Sequence, residues 1–166
     1  MMKISKTKVV RGTGVGERCT VGKLRFLRTS GRLEERKGRG TEEERARLLD
    51  AIEGVKRSLS NLQKTAEEDI GADAAEIFAI HTMLLEDEDL LERMENGLSQ
   101  GLSAEGAVQS AEDELSTELA ALDDPYLSAR AADIRDVCSQ LIAELSGKMN
   151  LLYNLQANLI SLFRAT

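Results

Sequence analysis

Residues 41–66 read TEEERARLLDAIEGVKRSLSNLQKTA, and this stretch decides the fold. Apolar residues stand at Leu48, Ile52, Val55, Leu59, Leu62 and Ala66, in alternating steps of four and three. That alternation follows the 3.6-residue period and puts all six on one helical face. Thr41 is placed to cap the helix, and Glu44 three residues later completes a capping box. Gly71 marks the end. A long helix with one apolar stripe must bury it against other helices.

The following sequence supplies them. Residues 72–98 form a second helical stretch, with Ile77, Phe78, His81, Leu84 and Leu85 on one face and Leu90, Leu91, Met94 and Leu98 beyond. Between these lies the acidic run Glu86–Asp87–Glu88–Asp89. Four adjacent acids repel, so a break is expected near Asp87, with Asp87 capping the second piece. Gly97 and Gly101 bracket its end. Ser103 opens a third helix with Val108, Ala111, Leu115, Leu119 and Leu122 inside. Asp123–Asp124–Pro125 starts a fourth, because a capping Asp followed by proline suits the first turn. Its stripe is Leu127, Ala131, Ile134, Cys138, Leu141 and Leu145. Aromatic residues make up only 3% of the chain, and Pro125 is its one proline. The expected fold is mainly α, a four-helix antiparallel bundle over residues 41–146.

The flanks read differently. Lys8 to Val10 and Cys19 to Leu27 have β character, separated by a glycine-rich stretch at 12–16. No GK[ST] follows those glycines, so a plain turn is favoured over a phosphate cradle. Two short strands are not stable alone, so residues 1–40 read as a β segment and basic linker from an incomplete α/β subdomain. Beyond Gly147 an apolar stripe continues at Leu152, Leu155, Leu159 and Leu162. If the fourth helix ran from Pro125 to Phe163, it would overhang the bundle by about 25 Å. Residues 147–166 are therefore expected to bury themselves, most simply as a homodimer contact about a two-fold axis.

The formal net charge of −7 hides an asymmetry. Residues 1–40 carry 12 Lys and Arg against 3 acids, and the remainder 10 against 26. The basic arm has no interleaved aromatic platform, which argues against nucleic acid. The acidic remainder repels phosphate backbones and attracts a basic protein. No run approaches the ~20 apolar residues of a membrane span, and no apolar region follows the basic N-terminus as in a secretory signal. Cys19 and Cys138 read as buried free thiols in a reducing cytoplasm. Two cysteines and one histidine do not fill a zinc site.

Few residues carry chemistry. His81 is the only histidine, hence the first suspect for phosphoryl or acid–base work; the alternative is a packing or interface role. The acids 86–89 lack the spacing and turn glycine of a calcium loop, so they read as solvated charge or a docking surface. Arg130 and Arg135, alternating with Asp133 and Asp136, suggest ion pairing along or between helices.

Two motifs carry a resemblance. Ala75–Glu76–Ile77–Phe78–Ala79–Ile80–His81–Thr82–Met83–Leu84–Leu85–Glu86–Asp87–Glu88–Asp89–Leu90 resembles the helical subdomain of enzyme I of the bacterial sugar phosphotransferase system. So does Leu122–Asp123–Asp124–Pro125–Tyr126–Leu127, followed by Arg130–Ala131–Ala132–Asp133–Ile134–Arg135–Asp136–Val137. The resemblance implies an α/β subdomain with an inserted four-helix subdomain that docks the phosphocarrier HPr. It implies a parent that takes a phosphoryl group from phosphoenolpyruvate onto its own histidine, using magnesium in a further domain. The phosphohistidine motif of that family, Gly-Gly-x-Thr-Ser-His, does not occur in this chain. No catalytic residue, metal or cofactor is therefore expected here, and the chain alone should be inactive. By position the resemblance assigns HPr docking to Asp73, His81, Leu84, Glu88, Asp89 and Leu90, with Arg130 second. It implies a cytoplasmic setting.

Overall fold

The computed structural model describes Gly38, residues 40–122 and residues 124–147. The β segment expected in residues 1–40 and the tail beyond Gly147 lie outside the described residues, as does Cys19. Five helices follow in order: α1 (Thr41–Asp69), α2 (Ala72–Leu84), α3 (Glu88–Ser99), α4 (Ala104–Ala120) and α5 (Pro125–Leu145). They are the four expected stretches, with the second divided at the acidic run into α2 and α3.

The stripe of α1 is buried along its whole length, from Leu48 to Ala66. It joins Leu84, Leu85, Leu90, Met94, Leu98, Val108, Ala111, Ile134, Val137 and Leu141 in one core. A smaller cluster of Leu62, Ala66 and Ala75, with Phe78 against it, closes the far end of the α1–α2 pair. α2 and α3 in succession run antiparallel to α1. Ion pairs join Lys56 of α1 to Glu86 in the turn after α2, and Arg93 of α3 to Glu118 of α4. Gly97 lets α3 approach α4 closely, since a Cβ there would lie 3.0 Å from the Cα of Ala107.

The breaks follow local chemistry. The Asp87 carboxylate accepts the N–H groups of Asp89 and Leu90 at 3.1 and 3.3 Å and so caps α3. Ser103 caps α4 through the N–H of Gly106, and Asp124 caps α5 through those of Tyr126 and Leu127.

Four expectations need correcting. The capping box at Thr41 and Glu44 does not form: the cap position is Gly40, which has no side chain to bond, and Thr41 is already the first helical residue. Glu44 is instead buried, and its carboxylate accepts the N–H of Ala104 in the first turn of α4. Leu122 was expected inside but is 60% exposed, because α4 ends two residues before it. Ile77, expected on the inner face of the second stretch, is 41% exposed. The fourth helix stops short of Gly147. It ends at Leu145, and Gly147 takes φ 68, a left-handed conformation that stops an α-helix.

Candidate docking site

The acidic run proves to be mostly engaged with cations rather than simply solvated. Glu86 pairs with Lys56 of α1 at 3.0 Å, and Asp87 receives Arg130 of α5 at 3.5 Å. Asp89 pairs with Arg93 at 3.1 Å, and Arg93 also reaches Glu114 and Glu118 on α4. These contacts tie the α2–α3 turn to three other helices. Glu88, in the first turn of α3, is exposed.

Beside the turn opens a cleft of about 140 Å³. Its apolar walls are Leu84 at the end of α2, Leu90 of α3, Leu115 and Leu119 of α4, and Leu127 and Ile134 of α5. Asp87, Asp89 and Arg130 supply its charged lining. The elements explain the convergence. The break at Asp87 divides the stretch while α2 and α3 continue in turn along α1, Glu86 meeting Lys56 and Glu95 meeting Arg45, and Asp124 starts α5 so that its first turns lie against that break.

Four of the seven residues assigned by resemblance therefore meet at one place: Leu84, Asp89, Leu90 and Arg130. Glu88 adjoins them in the chain. Asp73 is exposed in the first turn of α2 and is not part of the cleft wall. Leu84 and Leu90 are 2% and 1% exposed, so they form the floor of the cleft as core residues rather than projecting anchors.

His81 is buried, and neither ring nitrogen has a hydrogen-bond partner. Its Nε2 lies 3.9 Å from the Asp133 carboxylate, beyond hydrogen-bond range. Burial pushes its pKa below the ordinary 6.5, opposed by the charges of Asp133 and then Asp136. Cys138 is a buried free thiol, pushed up to about 12 by burial and then by Glu112. Among the described residues no group of three or more His, Cys, Asp or Glu side chains is arranged to hold a metal ion. No described helix is long and apolar enough to cross a membrane.

Sequence reasoning missed the α4 and α5 walls, and also Met83 and Tyr126. These two are 70% and 75% exposed and adjoin the wall residues Leu84 and Leu127 in the chain. A readable signal existed for Tyr126 and Leu127, which follow the Asp124–Pro125 start and so must lie in the first turn of α5.

The described residues thus form a helical bundle with an acid-rimmed apolar cleft at the α2–α3 turn. Comparison with known proteins gives its family. A family model described as PEP-utilising enzyme, N-terminal, matches residues 11–130, and the chain belongs to that family. The phosphoenolpyruvate-protein phosphotransferase of Staphylococcus carnosus is 32% identical over 108 residues, 64% of this chain and 19% of that protein. The corresponding protein of Geobacillus stearothermophilus is 31% identical over 144 residues, 86% of this chain and 25% of the relative. An NMR solution structure of an Enzyme I protein, nEIt, superposes with a TM-score of 0.66 at 30% identity, covering 73% of this chain and 49% of the other. The chain thus spans a quarter or less of the length of these curated relatives.

Proposed function

We propose that this chain is the HPr-docking part of a phosphoenolpyruvate–protein phosphotransferase of the sugar phosphotransferase system. The observation that carries this reading is the convergence of Leu84, Asp89, Leu90 and Arg130 on one cleft. An apolar centre rimmed by acids suits a partner with an apolar patch ringed by basic residues. Met83 and Tyr126, next in the chain to the wall residues Leu84 and Leu127, are exposed and offer further apolar contact area.

On this reading the chain docks and does not carry the phosphoryl group. A phosphoryl acceptor must present a ring nitrogen to solvent or to its partner, and both nitrogens of the sole histidine are buried. The setting is the cytoplasm, where soluble phosphocarriers circulate.

Titration of HPr into the isotope-labelled full chain, followed by NMR, tests the reading. Shifts centred on Met83, Leu84, Leu90, Tyr126 and Arg130 are expected. Shifts confined to other surfaces, or none at millimolar HPr, overturn it.

A further inference from the structure

We propose that His81 is a proton-sensitive latch behind the docking cleft: neutral, it lets α2 lie against α5 and keeps the cleft in shape; protonated, it disrupts that packing and weakens docking. The inference rests on the docking reading above and adds a control to the same site.

The geometry places His81 where such control acts on the cleft. Leu84, a wall residue, lies one helical turn beyond it on the same face. Across the helix boundary stands Asp133, which directly precedes Ile134 and lies three residues from Arg130, both wall residues. Displacing Asp133 relative to His81 therefore displaces two walls relative to a third.

The surroundings make the two protonation states inequivalent. Both ring nitrogens are buried and unpartnered. On the α5 side the charges acting on the ring are Asp133, whose side chain is 30% exposed, and Asp136. On α1, Leu62 and Ala66 pack with Ala75 and Phe78 in the turns of α2 before His81, and the charged group beyond it is Lys56, already paired with Glu86 at 3.0 Å. On α2 itself Asp73 and Glu76 are exposed, and the Thr82 hydroxyl is donated to the Phe78 carbonyl at 2.9 Å. A neutral ring is tolerated in this buried, unpartnered position. A charged ring is not, unless Asp133 closes the 3.9 Å gap or the ring turns toward water. Either response shifts α2 against α5. The burial that lowers the His81 pKa keeps the neutral form dominant at pH 7. Acidification below that range is the trigger, and His81 is the only histidine in the chain.

The test uses the full chain. The Cε1–Hε1 resonance of the single histidine is followed from pH 8 to 5, together with methyl resonances of Leu84 and Ile134. We expect a midpoint below 6.5, both methyls moving with that midpoint, and a still lower midpoint in Asp133→Asn. In parallel the Kd for HPr is measured at pH 7.5 and 5.5 for the wild type and His81→Gln. The wild type should weaken on acidification by up to about tenfold more than the variant. A midpoint at or above 6.5, static methyls, or equal pH dependence in His81→Gln overturns the latch. If HPr binds at neither pH, the docking reading fails, while the methyl titration still decides the latch.

Discussion

The Glu44 carboxylate accepts the backbone N–H of Ala104 at 2.9 Å, joining the first turns of α1 and α4 across 60 residues of sequence. The same carboxylate pairs with Arg47, which also binds Glu105 at 2.6 Å. An acid at a helix N-terminus satisfies an orphan N–H and complements the helix dipole. Here the acid comes from another helix, so the cap also fixes how two helices meet. Burial works to raise the Glu105 carboxyl, and its hydrogen bond from Arg47 leads the opposing effects that leave it lowered.

Replacing Glu44 by Ala removes this link and leaves a buried N–H and a half-paired arginine. A loss of about 2–4 kcal/mol in unfolding free energy is expected, read from urea denaturation. A loss under about 0.5 kcal/mol contradicts the structural role. A capping box at Thr41 predicts a smaller effect, of about 1 kcal/mol, equalled by Thr41→Ala.

This case illustrates what was legible in the sequence. Periodicity located the buried stripe of α1, because a stripe is a local property of the chain, but it also placed inside Ile77 and Leu122, which are 41% and 60% exposed. The break at Asp87 was legible for the same reason, as were the caps at Asp87 and Ser103. Glu44 was misread because a local capping box and a tertiary cap have the same residue signature, and only the partner helix distinguishes them. The cleft was half legible. Its α2 and α3 residues sit in one conspicuous motif, whereas Leu115, Leu119 and Ile134 look like any other stripe residues until three helices converge. His81 was visible as chemically unusual, but its burial and its distance from Asp133 are tertiary facts.

Asp87 serves two structures with one carboxylate, one oxygen capping α3 and the other facing Arg130. Ser103 caps α4 with no tie to the cleft. Asp87→Ala and Ser103→Ala should each cost about 1 kcal/mol in stability. Only Asp87→Ala should also alter HPr affinity, because only it releases Arg130. Calorimetric titration of the pair, with thermal melts as the stability control, separates the roles; equal affinities contradict the assignment.

Glu88 and Asp89 are adjacent acids in different situations. Asp89 is held by Arg93, while Glu88 stands exposed in the same turn. Glu88→Lys should slow HPr association several-fold at low salt and flatten its salt dependence, as expected for a rim charge that steers encounter. Asp89→Asn should change association much less, since Arg93 already screens that charge. Stopped-flow association rates at two ionic strengths make the comparison, and a larger effect from Asp89→Asn contradicts it.

The lowered His81 pKa has a consequence for stability as well as docking. The unfolded chain takes up a proton near 6.5, and the folded chain does so only at lower pH. Protons therefore favour the unfolded state in the interval between, so stability falls as pH drops below 6.5 and this contribution levels off below the folded pKa. The expected signature is a decline between pH 7 and 5.5 that is shallower in His81→Gln, measured by urea midpoints. Parallel declines in the two proteins would remove His81 as the cause.

Leu84 separates folding from docking most sharply. It is 2% exposed, belongs to the main core and also forms a wall of the cleft. Truncation to Ala deletes buried methyl groups at a place where α2, α3 and α5 meet, so a destabilisation of about 2–5 kcal/mol is expected. Loss of HPr binding by Leu84→Ala is therefore ambiguous by itself. Leu84→Met conserves volume and should cost under about 1.5 kcal/mol while changing the shape of the wall. Tyr126→Ala removes an exposed side chain next in the chain to the wall residue Leu127 and should leave stability within about 0.5 kcal/mol. If the cleft is the docking site, Tyr126→Ala weakens HPr binding in a fully folded chain, and Leu84→Met shifts affinity more than stability. Unchanged affinity in both, with folding intact, would place docking elsewhere on the bundle.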